Sequence, residues 1–156
     1  MASNDTTKMS VIFKDIDPND LAPIYAVEQA AQNHPMSLSV MQSCFSKRYF
    51  NTQLIINDEV AGFYIGECVL DESSLIEICV SPKYQGQGLG RQLLTHYIDT
   101  AKGKGAMSCW LEVRESNVGA RKLYQALDFN EVDIRPNYYP TEQGHEDAII
   151  MSFFLF

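Results

Sequence analysis

Residues 78–91 read Ile78-Cys79-Val80-Ser81-Pro82-Lys83-Tyr84-Gln85-Gly86-Gln87-Gly88-Leu89-Gly90-Arg91. An apolar strand runs into a glycine-rich loop, and the loop opens an amphipathic helix. Gly86, Gly88 and Gly90 permit backbone conformations closed to residues with a Cβ. Successive N–H groups can then converge on a phosphate, with the positive end of a helix dipole behind them. The loop therefore reads as a pyrophosphate site. Two common phosphate loops are excluded by spacing. The GxxxxGK[ST] pattern fails because Gly90 is followed by Arg91 and Gln92, which supply neither its lysine nor its hydroxyl. The dinucleotide pattern GxGxxG fails because Arg91 and Leu93 stand where its third glycine is required. What remains is QxxGxG at Gln85, Gly88 and Gly90.

Working outward, hydrophobic periodicity predicts strands over residues 11–16, 52–56, 60–70 and 75–80, with turns at Asn57-Asp58 and at 71–74. Helices are expected over 21–31, opened by Asp17 or Asp20 as a cap, and over 37–45. After the loop, Leu89, Leu93, Leu94, Tyr97, Ile98 and Ala101 recur with helical period until Gly103 and Gly105 stop them. A strand at 108–113, a helix at 118–127 and strands at 130–134 and 148–154 complete the chain. The order β-α-α-β-β-β-α-β-α-β-β implies an α/β (α+β) fold. It should carry a mixed, mostly antiparallel sheet of six to seven strands flanked by about four helices.

The chain has 156 residues, 46% of them apolar and 21% charged, enough to bury one full core. We expect a flexible extension at residues 1–8, with Met9 as an alternative start, and a single domain over 9–156. No apolar run approaches the roughly 20 residues of a membrane span, and the N-terminus lacks a signal peptide's apolar core, so a cytoplasmic protein is expected. Cys44, Cys68, Cys79 and Cys109 show neither CxxC nor zinc spacing, and His34, His96 and His145 are scattered, so no metal site is expected. A net charge of −8 argues against nucleic-acid partners, which require a basic stripe. It suits a cationic substrate, and Asp133, Glu142, Glu146 and Asp147 gather where they could steer a basic peptide.

The QxxGxG loop resembles the pyrophosphate loop of the acetyl-CoA-dependent GNAT N-acetyltransferases. The second half of the chain sharpens the resemblance. Residues 110–117 (Trp-Leu-Glu-Val-Arg-Glu-Ser-Asn), Leu123-Tyr124, residues 129–132, Arg135-Pro136-Asn137-Tyr138-Tyr139-Pro140 and residues 146–151 are similar to one branch, the bacterial ribosomal-protein-alanine N-acetyltransferases of the RimI type. Ala61-Gly62-Phe63 and His34-Pro35-Met36-Ser37 also fit, so the likeness spans most of residues 10–152. Three positions depart from the branch: Met36 stands for tryptophan, Asp128 for glycine and Pro136 for arginine. The first and last bear on the acceptor. Asp128 must adopt a left-handed backbone where a helix usually ends on glycine.

The resemblance implies the site. Ile78, Cys79 and Val80 would offer strand-edge backbone groups to the pantetheine arm. Gly86, Gln87, Gly88, Leu89, Gly90 and Arg91 would cradle the pyrophosphate, and Asn117 would bind the cofactor or cap the following helix. Glu112 corresponds to the family's general base. Side chains alternate along its strand, so it shares a face with Trp110 and Arg114, and pairing with an arginine is its structural alternative. Tyr124 corresponds to the general acid that protonates the departing thiolate and also to a cofactor contact; its apolar stripe of Ala120, Leu123 and Leu127 equally suits a core tyrosine. Met36, Arg135, Tyr138 and Tyr139 would line the acceptor. The implied reaction is direct acetyl transfer to the N-terminal amine of a ribosomal protein. Acetylation of lysine or small amines, and a non-catalytic acyl-CoA-binding module, are the alternatives. The joint presence of Glu112 and Tyr124 favours an enzyme.

Overall fold

A computed structural model of the chain describes residues 10–155. The extension expected at residues 1–8 and the alternative start at Met9 lie outside the described residues. Among the described residues the elements follow the order read from the periodicity. They are β1 (Val11–Asp15), α1 (Ala22–Ala31), α2 (Leu38–Gln42), β2 (Tyr49–Ile56), β3 (Glu59–Val69), β4 (Glu72–Val80), α3 (Leu89–Gly103), β5 (Ser108–Arg114), α4 (Val118–Ala126), β6 (Asn130–Thr141) and β7 (Gly144–Phe154). A 3₁₀ turn at Pro82–Tyr84 leads into the glycine loop. One seven-stranded sheet orders them β1-β2-β3-β4-β5-β7-β6. β4 and β5 pair in parallel, joined through α3 because a parallel pair needs a crossover, while β1–β2, β5–β7 and β6–β7 are antiparallel.

Several boundaries differ from expectation. The turn expected at 71–74 is tighter, since β4 already begins at Glu72 and Leu70 takes a positive φ of 56°. Asp17 and Asp20 do not cap α1: the cap position is Leu21, without a side-chain bond, and Asp17 instead accepts from the Asn19 N–H. β6 is much longer than residues 130–134 and takes in Tyr138 and Tyr139. The polar and proline-bearing stretch hid it, because an edge strand carries no buried alternation to read.

The chain divides into two compact units, whose boundaries fall inside β3, β4 and α3. The first comprises residues 10–65 and Glu77–Leu93. Its core gathers Ile16, Leu21, Ile24, Val27, Met41, Cys44, Phe63, Ile65 and Cys79, with Tyr25, Met36 and Phe45 packed against them. The second comprises Gly66–Ile76 and residues 94–155. Its buried residues include Tyr97, Cys109, Leu111, Val113, Tyr124, Phe129 and Met151. Among its aromatics, Phe129 meets Tyr124 at 6.0 Å and Phe153 at 5.6 Å between ring centroids.

Candidate functional site

In the first unit the glycine loop joins β4 to α3. Gly86 and Gly88 hold φ values of +80° and +79°, and a Cβ at either would meet nothing within 4 Å. Backbone conformation therefore demands these glycines, and the space over them is open. Gly90 differs from expectation. It lies inside the first turn of α3 and is not among the glycines of positive φ, so it contributes a helix-start N–H and not an unusual dihedral. Gly88 begins the helical ladder by accepting the Gln92 N–H. The N–H groups of Leu89, Gly90 and Arg91 thus fall in a first turn, where no carbonyl precedes them in the helix. A conformationally special, uncovered backbone ahead of a fifteen-residue helix fits the diphosphate of coenzyme A.

The strand edge beside the loop is tied down by side chains. The Ile78 N–H donates to Glu77 Oε1 at 3.1 Å, and the Ile78 carbonyl accepts from Gln32 Nε2 at 3.4 Å. The Val80 carbonyl accepts from Gln85 Nε2 at 3.0 Å, which gives the glutamine of QxxGxG a local task. Cys79 is buried, and its thiol donates to the Val27 carbonyl at 3.6 Å. Burial, with Glu28 and Glu77 nearby, pushes that thiol far above its ordinary range. Met36 lies between α1 and α2, packed on the core, with its N–H held by Glu28 and its carbonyl by the Tyr25 hydroxyl.

The second unit brings Glu112, Arg135, Tyr138 and Tyr139 into one chain of contacts, which runs on to the residue beside Asn117. Glu112 on β5 faces outward and pairs with Arg135 of β6 at 3.2 Å. The Arg135 guanidinium lies 5.2 Å from the Tyr138 ring centroid, and Tyr138 meets Tyr139 edge-on at 5.0 Å. Arg114, on the same face of β5 as Glu112, covers the Tyr139 ring at 4.5 Å, donates to the Pro140 carbonyl and pairs with Glu146 at 3.2 Å. Glu146 also accepts the Ser116 N–H, and this bond with Arg114 holds its carboxyl below the usual range. Next to Ser116, Asn117 caps α4 by accepting the Ala120 N–H at 3.2 Å, so the capping reading holds. β6 changes register between Arg135 and Tyr139, where Asn137 has φ 54° and donates its N–H to Asp147. This irregularity presents Arg135, Tyr138 and Tyr139 together.

Tyr124 is 6% exposed. The end of α4 positions it. The Phe129 N–H bonds the Tyr124 carbonyl, the Asp128 N–H bonds the Gln125 carbonyl, and Asp128 sits at φ 73°, a complete Schellman closure with aspartate in the left-handed place. Arg114, Glu146, Glu28, Glu77 and Gln32 were not singled out from sequence as parts of a site. Glu146 drew notice only as a steering charge. Of the four acids expected to steer a peptide, Asp133, Glu146 and Asp147 instead hold backbone N–H groups of Ile134, Ser116 and Asn137.

Comparison with known proteins shows the family. Residues 19–129 match the acetyltransferase (GNAT) family. The chain is 49% identical over 137 residues to the [ribosomal protein bS18]-alanine N-acetyltransferase of Escherichia coli K12, covering 88% of this chain and 93% of that protein. The crystal structure of the ribosomal-protein-S18-alanine N-acetyltransferase from Escherichia coli superposes with TM-score 0.89 at 46% identity, over 93% of this chain and 94% of that one. A GNAT acetyltransferase from Elizabethkingia anophelis with acetyl-CoA bound superposes at TM-score 0.79 and 26% identity, over 93% and 98% of the two chains. Likeness of this extent, spanning the glycine loop and β5 alike, means that the chain belongs to the acetyltransferase (GNAT) family, whose acyl donor is acetyl-CoA.

Proposed function

We propose that the protein acetylates the N-terminal α-amino group of a protein, in the first place the N-terminal alanine of a small-ribosomal-subunit protein in the cytoplasm. The observation that carries the reading is Glu112, an outward carboxylate on β5 beside the Arg135, Tyr138 and Tyr139 array. The names of the relatives supply the acceptor. An N-terminal amine has a pKa of about 8 and arrives largely as ammonium. It must lose a proton before its nitrogen can attack the acetyl carbonyl of acetyl-CoA. Glu112 accepts that proton, directly or through a water. Its partner does not prevent this. Both side chains of the pair are substantially exposed, at 51% for Arg135 and 31% for Glu112, so the pair is worth at most about 1 kcal/mol and an arriving ammonium can replace the guanidinium.

The Tyr124 hydroxyl then protonates the coenzyme A thiolate as the carbon–sulfur bond breaks. Ile78, Cys79 and Val80 hold the pantetheine arm, residues 86–91 the diphosphate, and Asn117 serves the cofactor from its capping position. Met36, Arg135, Tyr138 and Tyr139 receive the acceptor peptide. Direct transfer is preferred to an acetyl-cysteine route. Cys79 is buried with its thiol held protonated, and the buried Cys109 thiol is pushed up to about 11. The test is a panel of peptides beginning with alanine, with serine, or with a blocked residue and an internal lysine, read by mass gain and released thiol. Gain on the alanine peptide is expected. Gain on the blocked lysine peptide alone would overturn the N-terminal reading.

A further inference from the structure

Within the first unit, α1 and β4 face each other across two carboxyl groups. Glu28 on α1 is fully buried beside Ile24 and Val27. Its Oε2 accepts the Met36 N–H at 2.9 Å, while its Oε1 is buried and meets no donor. Glu77 on β4 accepts from the Ile78 N–H and from Gln32 Nε2 through Oε1, at 3.1 and 3.2 Å. The two carboxyls stand within hydrogen-bond reach of each other. Glu77 is only half-buried, but the buried Glu28 carboxyl beside it disfavours its ionised form through like charge. Burial first, and then Glu28, push Glu77 well above the usual carboxylate range. A proton on Glu77 is the donor that the orphan Oε1 lacks. The Cys79 thiol on β4 feels both carboxyls, and from α1 the Tyr25 hydroxyl donates to the Met36 carbonyl. Among the described residues no cation is among the causes that shift Glu77 or Cys79.

We propose that Glu28 and Glu77 are positioning residues for the acceptor: sharing one proton, they clamp the segment between α1 and α2 by the Met36 backbone. The proposal rests on the assignment of Met36 to the acceptor side. The pair exchanges no proton with substrate. When both carboxyls ionise, their repulsion pulls Glu28 away from the Met36 N–H, and the acceptor surface loosens while the glycine loop is untouched.

Glu77→Gln separates this from a packing role, since the amide has the shape of the protonated acid and stays neutral at every pH. The Michaelis constants for an alanine-first peptide and for acetyl-CoA are measured across the neutral and alkaline range for the parent, Glu77→Gln and Glu28→Gln, alongside the infrared band of a protonated carboxyl. Deprotonation of the peptide amine is common to all three and cancels in the comparison. The parent's peptide KM should climb about tenfold relative to that of Glu77→Gln as pH rises, with a smaller change in acetyl-CoA KM through the Ile78 N–H that Glu77 also holds. The band should be present in the parent at neutral pH and absent from Glu77→Gln. Glu28→Gln should raise peptide KM already at neutral pH; if it fails to fold, Glu77→Gln still decides. A flat ratio of peptide KM values, a change in acetyl-CoA KM as large as that in peptide KM, or a parent without the band would overturn the proposal. A parent that carries the band but acetylates no peptide would remove the acceptor reading, and the clamp's role with it, while leaving the shared proton.

Discussion

At the residue scale, the proposed chemistry is divided between an exposed carboxylate and a buried phenol. Glu112→Gln keeps the shape and removes the proposed base. We expect turnover to fall by about 10² to 10⁴ with acetyl-CoA affinity unchanged, and activity to recover partly at high pH as the free amine accumulates. Steady-state kinetics with calorimetry on coenzyme A checks this, and activity within about threefold of the parent would return Glu112 to a surface ion pair with Arg135. Tyr124→Phe keeps the ring against Phe129 and so most of the packing. A core role would cost about 1 kcal/mol and leave turnover in place. As general acid its loss should lower turnover by about 10², incompletely because a thiol of pKa near 8.5 is a tolerable leaving group. An acetyl donor with a more acidic thiol should then rescue the variant more than the parent. Equal rescue removes Tyr124 from proton transfer.

At the scale of elements, the glycine loop and the end of α4 impose the same demand on the backbone, a positive φ, and meet it with different residues. A Cβ at Gly88 meets no neighbour within 4 Å, so in Gly88→Val the fold should survive with a strain of roughly 1–2 kcal/mol from forcing a β-branched residue to φ +79°. Coenzyme A binding should be lost, because the displaced N–H groups no longer converge. Unchanged affinity by calorimetry would reduce the loop to a turn. Gly62 shows the contrasting case, since a Cβ there would lie 2.7 Å from the Cys79 carbonyl and 2.9 Å from Leu93, within the packing of β3. At the end of α4, Asp128 bears a left-handed cost that glycine avoids. Asp128→Gly should stabilise by about 1 kcal/mol in thermal melts, and a lower melting temperature would mean that its side chain offsets that cost.

For the whole molecule, stability against pH reports on the same groups. Glu77 is raised in the folded state, so the fold gains an extra proton above the unfolded glutamate pKa of about 4.3. Its contribution is full below that value and is lost as pH climbs through the raised one. Glu146 works the other way: its lowered carboxyl contributes above about 4.3 and loses its effect on acidification. The net charge of −8 adds self-repulsion on the alkaline side. Glu77→Gln should therefore melt above the parent at neutral pH, by a few degrees for each kcal/mol recovered, and the gap should widen with rising pH. Melting curves that run parallel across pH would mean that Glu77 is ionised in the fold.

Element order, the glycine loop between strand and helix, and the family were legible along the chain because each depends on neighbours in sequence. Helical period marks α3, alternation marks β5, and QxxGxG with the residues after Trp110 carries the resemblance. Asp128 was legible for the same reason, as a missing glycine at a helix stop. The edge strand β6 was not, since an exposed strand buries no face and leaves no alternation in its residues. Nor were the partners of charged groups. That Glu112 meets Arg135, that Arg114 holds Glu146, and that the half-buried Glu77 interacts with the buried Glu28 are matters of distance between residues 23, 32 and 49 positions apart. Sequence determined which residues carry charge and which backbone can turn. Only the tertiary structure decided which charges meet, because Coulomb and hydrogen-bond energies depend on separation in space and on burial, neither of which chain position specifies.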